Sequence, residues 1–225
     1  MESARIKEII MKSQKYNRTF HVPWSPGMTS DDKMAKDISA LLNVPIVITE
    51  KIDGSNTSLE REGCFARTHS GPPTHESFNG LKALHASLNY MIPEGLQLFG
   101  EWCFAKHSIE YNALPGYFLL FNIRNNNYWE SWEIVELWAE QLNLPTVPVL
   151  FKGAVNSENE LKELTESFMI EPSKCGGIRE GIVIRVSDSF NDEKFSTHVA
   201  KMVRANHVQT STHWREQEII KNKLM

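Results

Sequence analysis

The chain has 225 residues, of which 41% are hydrophobic and 23% charged, and no segment approaches the ~18 consecutive apolar residues that a membrane helix requires. We therefore expect a soluble globular protein with a buried core and no membrane partner. The net charge of -4 is unevenly distributed, because residues 1–20 carry five basic and two acidic side chains and residues 194–225 carry six and two. Basic ends beside an acidic middle are compatible with a phosphate-binding face and equally with a solvated surface.

The cysteines and the N-terminal segment indicate the compartment. Cys64, Cys103 and Cys175 match no metal-ligand spacing, and one of them must remain unpaired whatever disulfide forms. This pattern is typical of reduced thiols. Residues 1–15 contain no apolar signal core. We therefore expect a cytoplasmic protein.

Hydrophobic periodicity and turn residues predict the elements in chain order. Thr29 to Asp32 resemble the cap and first turn of a helix that continues through Met34, Ile38 and Leu41. We predict strands at 44–50, 57–60, 97–105, 117–123, 180–186 and 198–203, and helices at 81–91, 129–142, 157–168 and 211–223. Strands interleaved with helices, without a regular βαβ alternation, predict an α+β fold with a mainly antiparallel sheet.

The segment Glu50-Lys51-Ile52-Asp53-Gly54 is the first candidate for chemistry. A lysine at a strand end can act as a nucleophile when its amine is deprotonated, and a neighbouring glycine lets the backbone approach a ligand closely. Without further motifs, the same segment could be an exposed turn.

Five further short motifs follow in the chain. They are FARTHS at 65–70 with Arg67, FGEW at 99–102 with Glu101, FNI at 121–123, EGIV at 180–183 and KMVR at 201–204. Together with the lysine segment they resemble motifs I, Ia, III, IIIa, IV and V of the covalent nucleotidyltransferases, in order and in approximate separation. That superfamily contains DNA ligases, RNA ligases and mRNA-capping guanylyltransferases.

Within the superfamily the chain most resembles the phage-type nick-sealing RNA ligases and their small bacterial and viral relatives. Asn56 follows Lys51 by five positions, and motif III continues as FAKHSI at 104–109. The segments RTFHVPW at 18–24 and HVQT at 207–210 are also similar. The resemblance implies one nucleotidyltransferase domain over 1–225, with antiparallel sheets flanked by helices and unrelated to ATP-grasp. No C-terminal OB domain is expected, because only 24 residues follow Lys201.

The resemblance implies an ATP-dependent RNA ligase that joins 3′-hydroxyl and 5′-phosphate ends. Lys51 would attack the α-phosphate of ATP to form lysyl-AMP, AMP would pass to the 5′-phosphate of the nucleic acid, and a 3′-hydroxyl would then displace AMP. The expected cofactors are ATP and Mg²⁺ or Mn²⁺. The expected partner is RNA, as a nicked duplex or an RNA/DNA hybrid, with a helper protein as a further candidate, in a bacterial cell or one infected by a phage or virus.

Each motif residue has an expected role. Lys51, Glu180 and Lys201 would be catalytic, and Glu180, with Asp53 second, would anchor the metal. Burial and neighbouring cations would lower the pKa of Lys51 and so favour its free amine. The expected ATP or AMP contacts are Glu50 at the adenine edge, Asp53, Arg67 on a phosphate or sugar, Glu101 on the ribose hydroxyls, Phe121 stacked on adenine, and Lys201 and Arg204 on the α-phosphate, while Asn56 would contact the nucleic acid.

Other interpretations remain open at this point. A DNA ligase or a capping guanylyltransferase shares the first step, and an inactive RNA-binding module would share the fold. Phe121 could be a core residue, and Val183 is expected to be one. Many relatives have a second lysine where this chain has Val203, followed by Arg204, and an acid where it has Asn122.

Overall fold

The computed structural model describes residues 13–68, 71–205 and 218–225, which form two β-sheets with helices packed on them. In the first sheet every neighbouring pair is antiparallel except the first two strands, which are parallel. Its strands lie in the order β1 (Phe20–His21), β11 (Val199–Val203), β9 (Gly181–Val186), β2 (Ile46–Lys51) and β8 (Val149–Gly153).

The second sheet is antiparallel throughout. Its strands lie in the order β10 (Phe190–Asn191), β7 (Tyr128–Trp129), β6 (Phe118–Asn125), β5 (Leu96–Trp102), β3 (Ser55–Leu59) and β4 (Cys64–Ala66). The α-helices are α1 (Asn79–Leu88), α2 (Trp132–Gln141), α3 (Glu158–Ile170) and α4 (Phe195–His198), and short 3₁₀ helices lie at Ser39–Leu41, Glu76–Phe78, Asn89–Met91 and Asp192–Lys194. The predicted α+β class with mainly antiparallel sheets is confirmed. Among the described helices, none has the length and apolarity needed to cross a bilayer.

The core consists of two clusters of buried side chains. One contains Leu81 of α1 and Val135 of α2, and the other contains Leu161 of α3 and Phe195 of α4. Phe121 is partly buried and packs against both clusters. Helices α1 and α2 thus pack in one cluster, and α3 and α4 pack in the other. A single domain over 1–225 stays a prediction.

The connection between β2 and β3 passes from the first sheet to the second. β2 ends at Lys51 and β3 begins at Ser55, so only three residues make the crossing. Gly54 is required here, because a Cβ atom at this position would lie 2.8 Å from the carbonyl oxygen of Trp102. The tight crossing fixes the end of β2 against β5.

The helix predicted to begin at Thr29 is wrong. The side chain of Asp32 accepts hydrogen bonds from the Thr29 amide and hydroxyl, at 3.2 and 2.9 Å, and closes a turn. Met34 then forms a parallel bridge with His21 and is 44% exposed, so its spacing does not mark a buried helical face. Only Ser39–Leu41 are helical, as one 3₁₀ turn. The Ala35 amide donates to the His21 carbonyl at 2.7 Å and not to a carbonyl one turn earlier, so pairing with the N-terminal segment replaces the helix.

The predicted helices at 129–142 and 157–168 exist, although the first begins later. Tyr128–Trp129 pair as β7, and the Ser131 hydroxyl accepts a hydrogen bond from the Ile134 amide at the start of α2. At α3 the Ser157 hydroxyl accepts a hydrogen bond from the Glu160 amide at 3.2 Å and caps the helix.

The C-terminal helix predicted at 211–223 is wrong for its described part, and residues 211–217 lie outside the described residues. Residues 218–225 are extended and bridge to the segment that follows β5, through Lys221 with Ala105 and Leu224 with Leu114. The buried side chain of Asn222 donates to the Cys103 carbonyl at 2.9 Å and accepts from the Tyr111 amide at 2.8 Å. Tertiary hydrogen bonds therefore replace helical ones.

Replacing Asn222 by alanine should destabilise the fold. The change leaves a buried amide and a buried carbonyl unsatisfied, which should lower the free energy of unfolding by about 2–4 kcal/mol. Urea unfolding measures the change. The control is Asn125→Ala at an exposed position, which should cost less than about 0.5 kcal/mol. Equal effects of the two variants would contradict this role of Asn222.

Candidate active site

A cavity of about 580 Å³ is lined by strands of both sheets and by residues 16–19 of the N-terminal segment. Of the ten site residues predicted from the sequence, nine line this cavity and Arg204 does not. The nine are Glu50, Lys51, Asp53, Asn56, Arg67, Glu101, Phe121, Glu180 and Lys201. Residues separated by up to 151 positions in the chain therefore meet at one site.

The ammonium group of Lys51 lies against the carboxylate of Glu180. Its Nζ donates to both oxygens of Glu180, at 2.7 and 2.6 Å. Burial lowers the pKa of Lys51, but the negative charges of Glu180 and Asp53, and of Glu101 once it has ionised, outweigh burial and raise the pKa above its ordinary value. The expectation that burial and neighbouring cations lower this pKa is therefore wrong, because the neighbouring carboxylates outweigh burial. Lys51 rests as an ammonium ion.

Glu101 is a protonated acid near neutral pH. It lies on β5 opposite Asn56, and its Oε1 accepts a hydrogen bond from the Gly54 amide at 3.1 Å. Burial raises the pKa of Glu101 to about 8, with Glu180 adding to the shift and Lys51 opposing it. The carboxyl group can consequently donate a hydrogen bond as well as accept one.

Asp53 fastens the loop that follows β5. Its Oδ2 accepts hydrogen bonds from the Ser108 and Ile109 amides, at 2.7 and 2.9 Å, which leaves Oδ1 for any other partner. The same loop places His107 in the cavity lining, with Nε2 3.3 Å from the Ser55 hydroxyl. In the described part of the chain, no three His, Cys, Asp or Glu side chains are grouped to hold a metal.

Lys201 lies on β11 opposite Val183, and its Nζ is 3.3 Å from Oδ1 of Asp32. Burial lowers the pKa of Lys201, and the nearby Lys51 lowers it further while Asp32 opposes the shift. Burial would raise the pKa of Asp32, but hydrogen bonds from Thr29 and the charges of Lys201 and His21 hold it well below its usual range. Sequence reasoning missed Asp32, because it lay in a predicted helix 169 residues from its partner.

Two aromatic side chains, Tyr16 and Phe121, lie next to each other at the cavity. Phe121 lines the cavity, and the ring of Tyr16 packs edge-on against it with centroids 5.1 Å apart. Asn122 donates to the Tyr16 hydroxyl at 3.2 Å and accepts from Arg185 at 2.6 Å. An amide suits this position because it must both donate and accept. Val183, expected in the core, is half-buried and lines the cavity instead.

The structure does not bring Arg204 to the predicted phosphate site. It follows the end of β11, three positions after Lys201, and an odd separation in extended chain directs two side chains to opposite faces. Its amide donates to the Glu180 carbonyl at 3.0 Å, so its backbone helps to place Glu180. Val203 occupies the position of the second lysine of many relatives, and it is buried.

Comparisons with known proteins identify similar folds. A family model described as RNA ligase matches residues 44–203. No curated protein matches the sequence. A solved RNA ligase from Naegleria gruberi in its apo form is 20% identical, with a TM-score of 0.55 over 86% of this chain and 56% of that one. The same ligase with AMP and Mn is 18% identical, with a TM-score of 0.54 over 87% and 57%.

An archaeal ATP-dependent RNA ligase is 15% identical, with a TM-score of 0.55 over 87% of this chain and 49% of that one. This chain therefore spans about half to three-fifths of the length of these solved relatives. At such identities the likeness establishes a shared fold.

The variant Glu180→Gln should make Lys51 more reactive in the ligand-free chain. Removing the charge that contributes most to raising the pKa of Lys51 lowers that pKa, so a larger fraction is free amine at a given pH. We expect labelling of Lys51 by an amine-selective reagent to begin at lower pH, as measured by peptide mass spectrometry. The exposed Lys152 is the internal control. Identical pH profiles of Lys51 in both proteins would contradict the assignment.

Proposed function

The chain belongs to the RNA ligase family, and from this membership we propose that it is an ATP-dependent RNA ligase that forms lysyl-AMP on Lys51. The observation that carries the proposal is the position of Lys51 in a cavity of about 580 Å³, bonded to both oxygens of Glu180 and near Lys201. Attack on a phosphate requires an amine that can lose its proton and a second cation for the phosphate oxygens, and Lys51 and Lys201 can supply these two groups.

The cavity offers partners for each part of AMP. Phe121 and Val183 come from different sheets and provide two apolar surfaces for a purine ring. Glu50 would read the adenine edge through the part of the residue that lines the cavity, because its side chain is fully buried. Glu101, which carries a proton near neutral pH, can bond the ribose hydroxyls.

The acids of the cavity fit a magnesium or manganese ion. The Naegleria relative was solved with ATP and Mn. Mg²⁺ takes one or two carboxylates and completes its shell with phosphate oxygens and water, so a cluster of three protein ligands is not needed. Glu180 would hold the ion, with Oδ1 of Asp53 as a second ligand. A bound ion would neutralise negative charge on the phosphates.

The residues of the chain prepare Lys51 for the first step. As long as Glu180 binds the ammonium group, the pKa of Lys51 stays raised and attack is prevented. Once Glu180 is engaged by another cation, Lys51 can lose its proton, and Nζ forms a bond to the α-phosphorus while the bond to pyrophosphate breaks. Lys201, which Asp32 holds at 3.3 Å, is placed to bond the phosphate oxygens.

Asn56 would act in the steps that involve RNA. It lies on β3 beside the crossing that carries Lys51, it lines the cavity, and its buried Oδ1 has no hydrogen-bond partner among the described residues. RNA as the substrate is supported by the family, in a nicked duplex or an RNA/DNA hybrid. The rival functions are a DNA ligase and an inactive RNA-binding module. An inactive module would form no adduct, and a DNA ligase would form adduct but seal DNA nicks in preference to RNA nicks.

The cellular setting is also a proposal. Cys64, Cys103 and Cys175 are all buried and free, which supports a reducing cytoplasm, in a bacterial cell or one infected by a phage or virus. A helper protein that adds nucleic-acid contacts is supported by the exposed cations at the cavity, which among residues 13–68, 71–205 and 218–225 are Arg18 and Arg67. Fast sealing by the isolated chain that is insensitive to salt would contradict the need for a helper.

The variant Lys51→Ala should form no covalent adduct, because no other side chain can replace the nucleophile. Intact-protein mass spectrometry after incubation with Mg²⁺ and ATP or GTP measures the adduct, and we expect it in the wild type with ATP only. The control is Lys152→Ala, which removes an exposed lysine and should form adduct normally. An adduct of normal yield in Lys51→Ala, or none in the wild type, would refute the proposed function.

The variant Asn56→Ala should form adduct at the normal rate but fail to seal nicked RNA. Its amide contacts nucleic acid and not ATP, so only the later steps lose an interaction. Adduct formation and sealing of RNA and DNA nicks are measured on the same preparation, with Glu180→Ala as the variant expected to fail at both. A defect in adduct formation as large as that of Glu180→Ala would show that Asn56 acts on ATP.

A further inference from the structure

The ion pair between Lys201 and Asp32 is open to the cavity. Nζ of Lys201 lies 3.3 Å from Oδ1 of Asp32, and both residues line the cavity. Their side chains are 20% and 19% exposed, so a ligand in the cavity can reach both the ammonium group and the carboxylate. An anion that binds Lys201 therefore has to share the ammonium group with this carboxylate or displace it.

Asp32 is anchored without the help of Lys201. Its Oδ2 accepts hydrogen bonds from the Thr29 hydroxyl and amide, at 2.9 and 3.2 Å. Its Oδ1 lies 3.3 Å from Nε2 of His21, and Nδ1 of the same ring lies 2.7 Å from the Ser25 hydroxyl oxygen. Burial would raise the pKa of Asp32, but hydrogen bonds from Thr29 and the charges of Lys201 and His21 hold it well below its usual range. The carboxylate can therefore stay ionised and in place when Lys201 turns away.

Lys201 is held less tightly than its partner. Its backbone is fixed in β11, but the ammonium group lies at the end of a flexible four-carbon stem. The distance of 3.3 Å to Asp32 exceeds the 2.6 Å between Lys51 and Glu180. The same Oδ1 of Asp32 is also shared with His21. The lysine can thus exchange one anionic acceptor for another while the acid remains.

We propose that Asp32 is an internal competitor for Lys201, which makes their ion pair an autoinhibitory contact at the phosphate site. A carboxylate and a phosphate oxygen are both anionic acceptors, so a ligand reaches Lys201 only by replacing a bond that the lysine already has. The carboxylate remains beside the ligand and attracts the lysine back when the ligand leaves. Pyrophosphate, the leaving group of the proposed reaction, is the anion whose departure this contact favours. The inference rests on the proposed function, in which Lys201 meets phosphate, and deepens it.

A supporting role for Asp32 predicts the opposite result. If the carboxylate only held the ammonium group in position, its removal would weaken the binding of anions. If the carboxylate competes for the ammonium group, its removal strengthens that binding. The sign of one change in affinity thus separates the two roles.

The test measures the affinity for inorganic pyrophosphate by calorimetry, with a chelator that removes divalent cations. Asp32→Asn removes the charge and keeps an oxygen that can accept from Thr29. We expect the dissociation constant to fall by about threefold, as for the loss of a competing ion pair with partly exposed side chains. An unchanged or a weaker affinity would overturn the inference.

Two control variants separate competition from other effects of the substitution. Asp31→Asn removes the same charge one position earlier, where the side chain is exposed and the backbone carbonyl accepts from Arg18. It should change the affinity by less than about 1.5-fold, because water and salt screen exposed charges. Thr29→Val deletes one hydrogen bond of the turn but keeps the carboxylate, and should bind pyrophosphate as the wild type does. Tightening in either control equal to that in Asp32→Asn would refute competition.

A double substitution shows whether the effect passes through Lys201. In the Lys201→Gln background, Asp32→Asn should tighten pyrophosphate binding by less than about 1.5-fold, because no ammonium group is left to compete for. An equal gain in both backgrounds would show that the carboxylate only repels anions, and the inference would be wrong.

Two further cases complete the test. If Asp32→Asn does not fold, Asp32→Ser replaces it, with the same expected gain in affinity. If the wild type forms no adduct, the proposed function fails, whereas the affinity for pyrophosphate still tests Asp32 because its measurement needs no reaction. Absence of pyrophosphate binding in both the wild type and Asp32→Asn would overturn the inference.

Discussion

The ion pair between Lys51 and Glu180 sets the resting state of the cavity, since an amine held by a carboxylate is protonated and cannot attack. Glu101 and Asp53 lie close enough to raise the pKa of Lys51 further. Negative charge at the site thus keeps Lys51 in its protonated, unreactive form, and the same charge can bind a cation. Lys51 therefore stays protonated while Glu180 contacts it, and it can lose its proton when Glu180 contacts another cation.

The geometry around that pair depends on the crossing from β2 to β3. Only Ile52, Asp53 and Gly54 separate Lys51 from the second sheet, so the lysine is tied to β5 through the Gly54 amide and Glu101. Asp53 in turn holds the loop after β5, and the extended residues 218–225 cover that loop. Hydrogen bonds to backbone amides dominate these connections, and they fix positions more firmly than exposed ion pairs do.

The N-terminal segment supplies the third part of the cavity. Tyr16 supports Phe121 and Asn122 at one end, while Asp32 reaches Lys201 at the other. His21 lies 3.3 Å from the same Asp32 carboxylate. Lys51 and Lys201 are therefore each paired with an acid. Entry of an anionic ligand exchanges these pairs for others, and the net gain is smaller than the new contacts alone would suggest.

The sequence by itself determined six of the eleven described strands, β2, β3, β5, β6, β9 and β11, and the helices α1, α2 and α3, because apolar alternation and cap residues act within a few positions. Nine of the ten residues that its motifs named line the cavity. Their roles stay predictions. Only the tertiary structure decided which charges surround Lys51, since order along the chain does not give distances of a few ångströms. Arg204, expected beside the lysine, lies elsewhere, and Asp32, expected in a helix, binds Lys201. A local pattern cannot show whether a side chain will find a distant partner, and here the distant Glu180 decided the direction in which the pKa of Lys51 shifts.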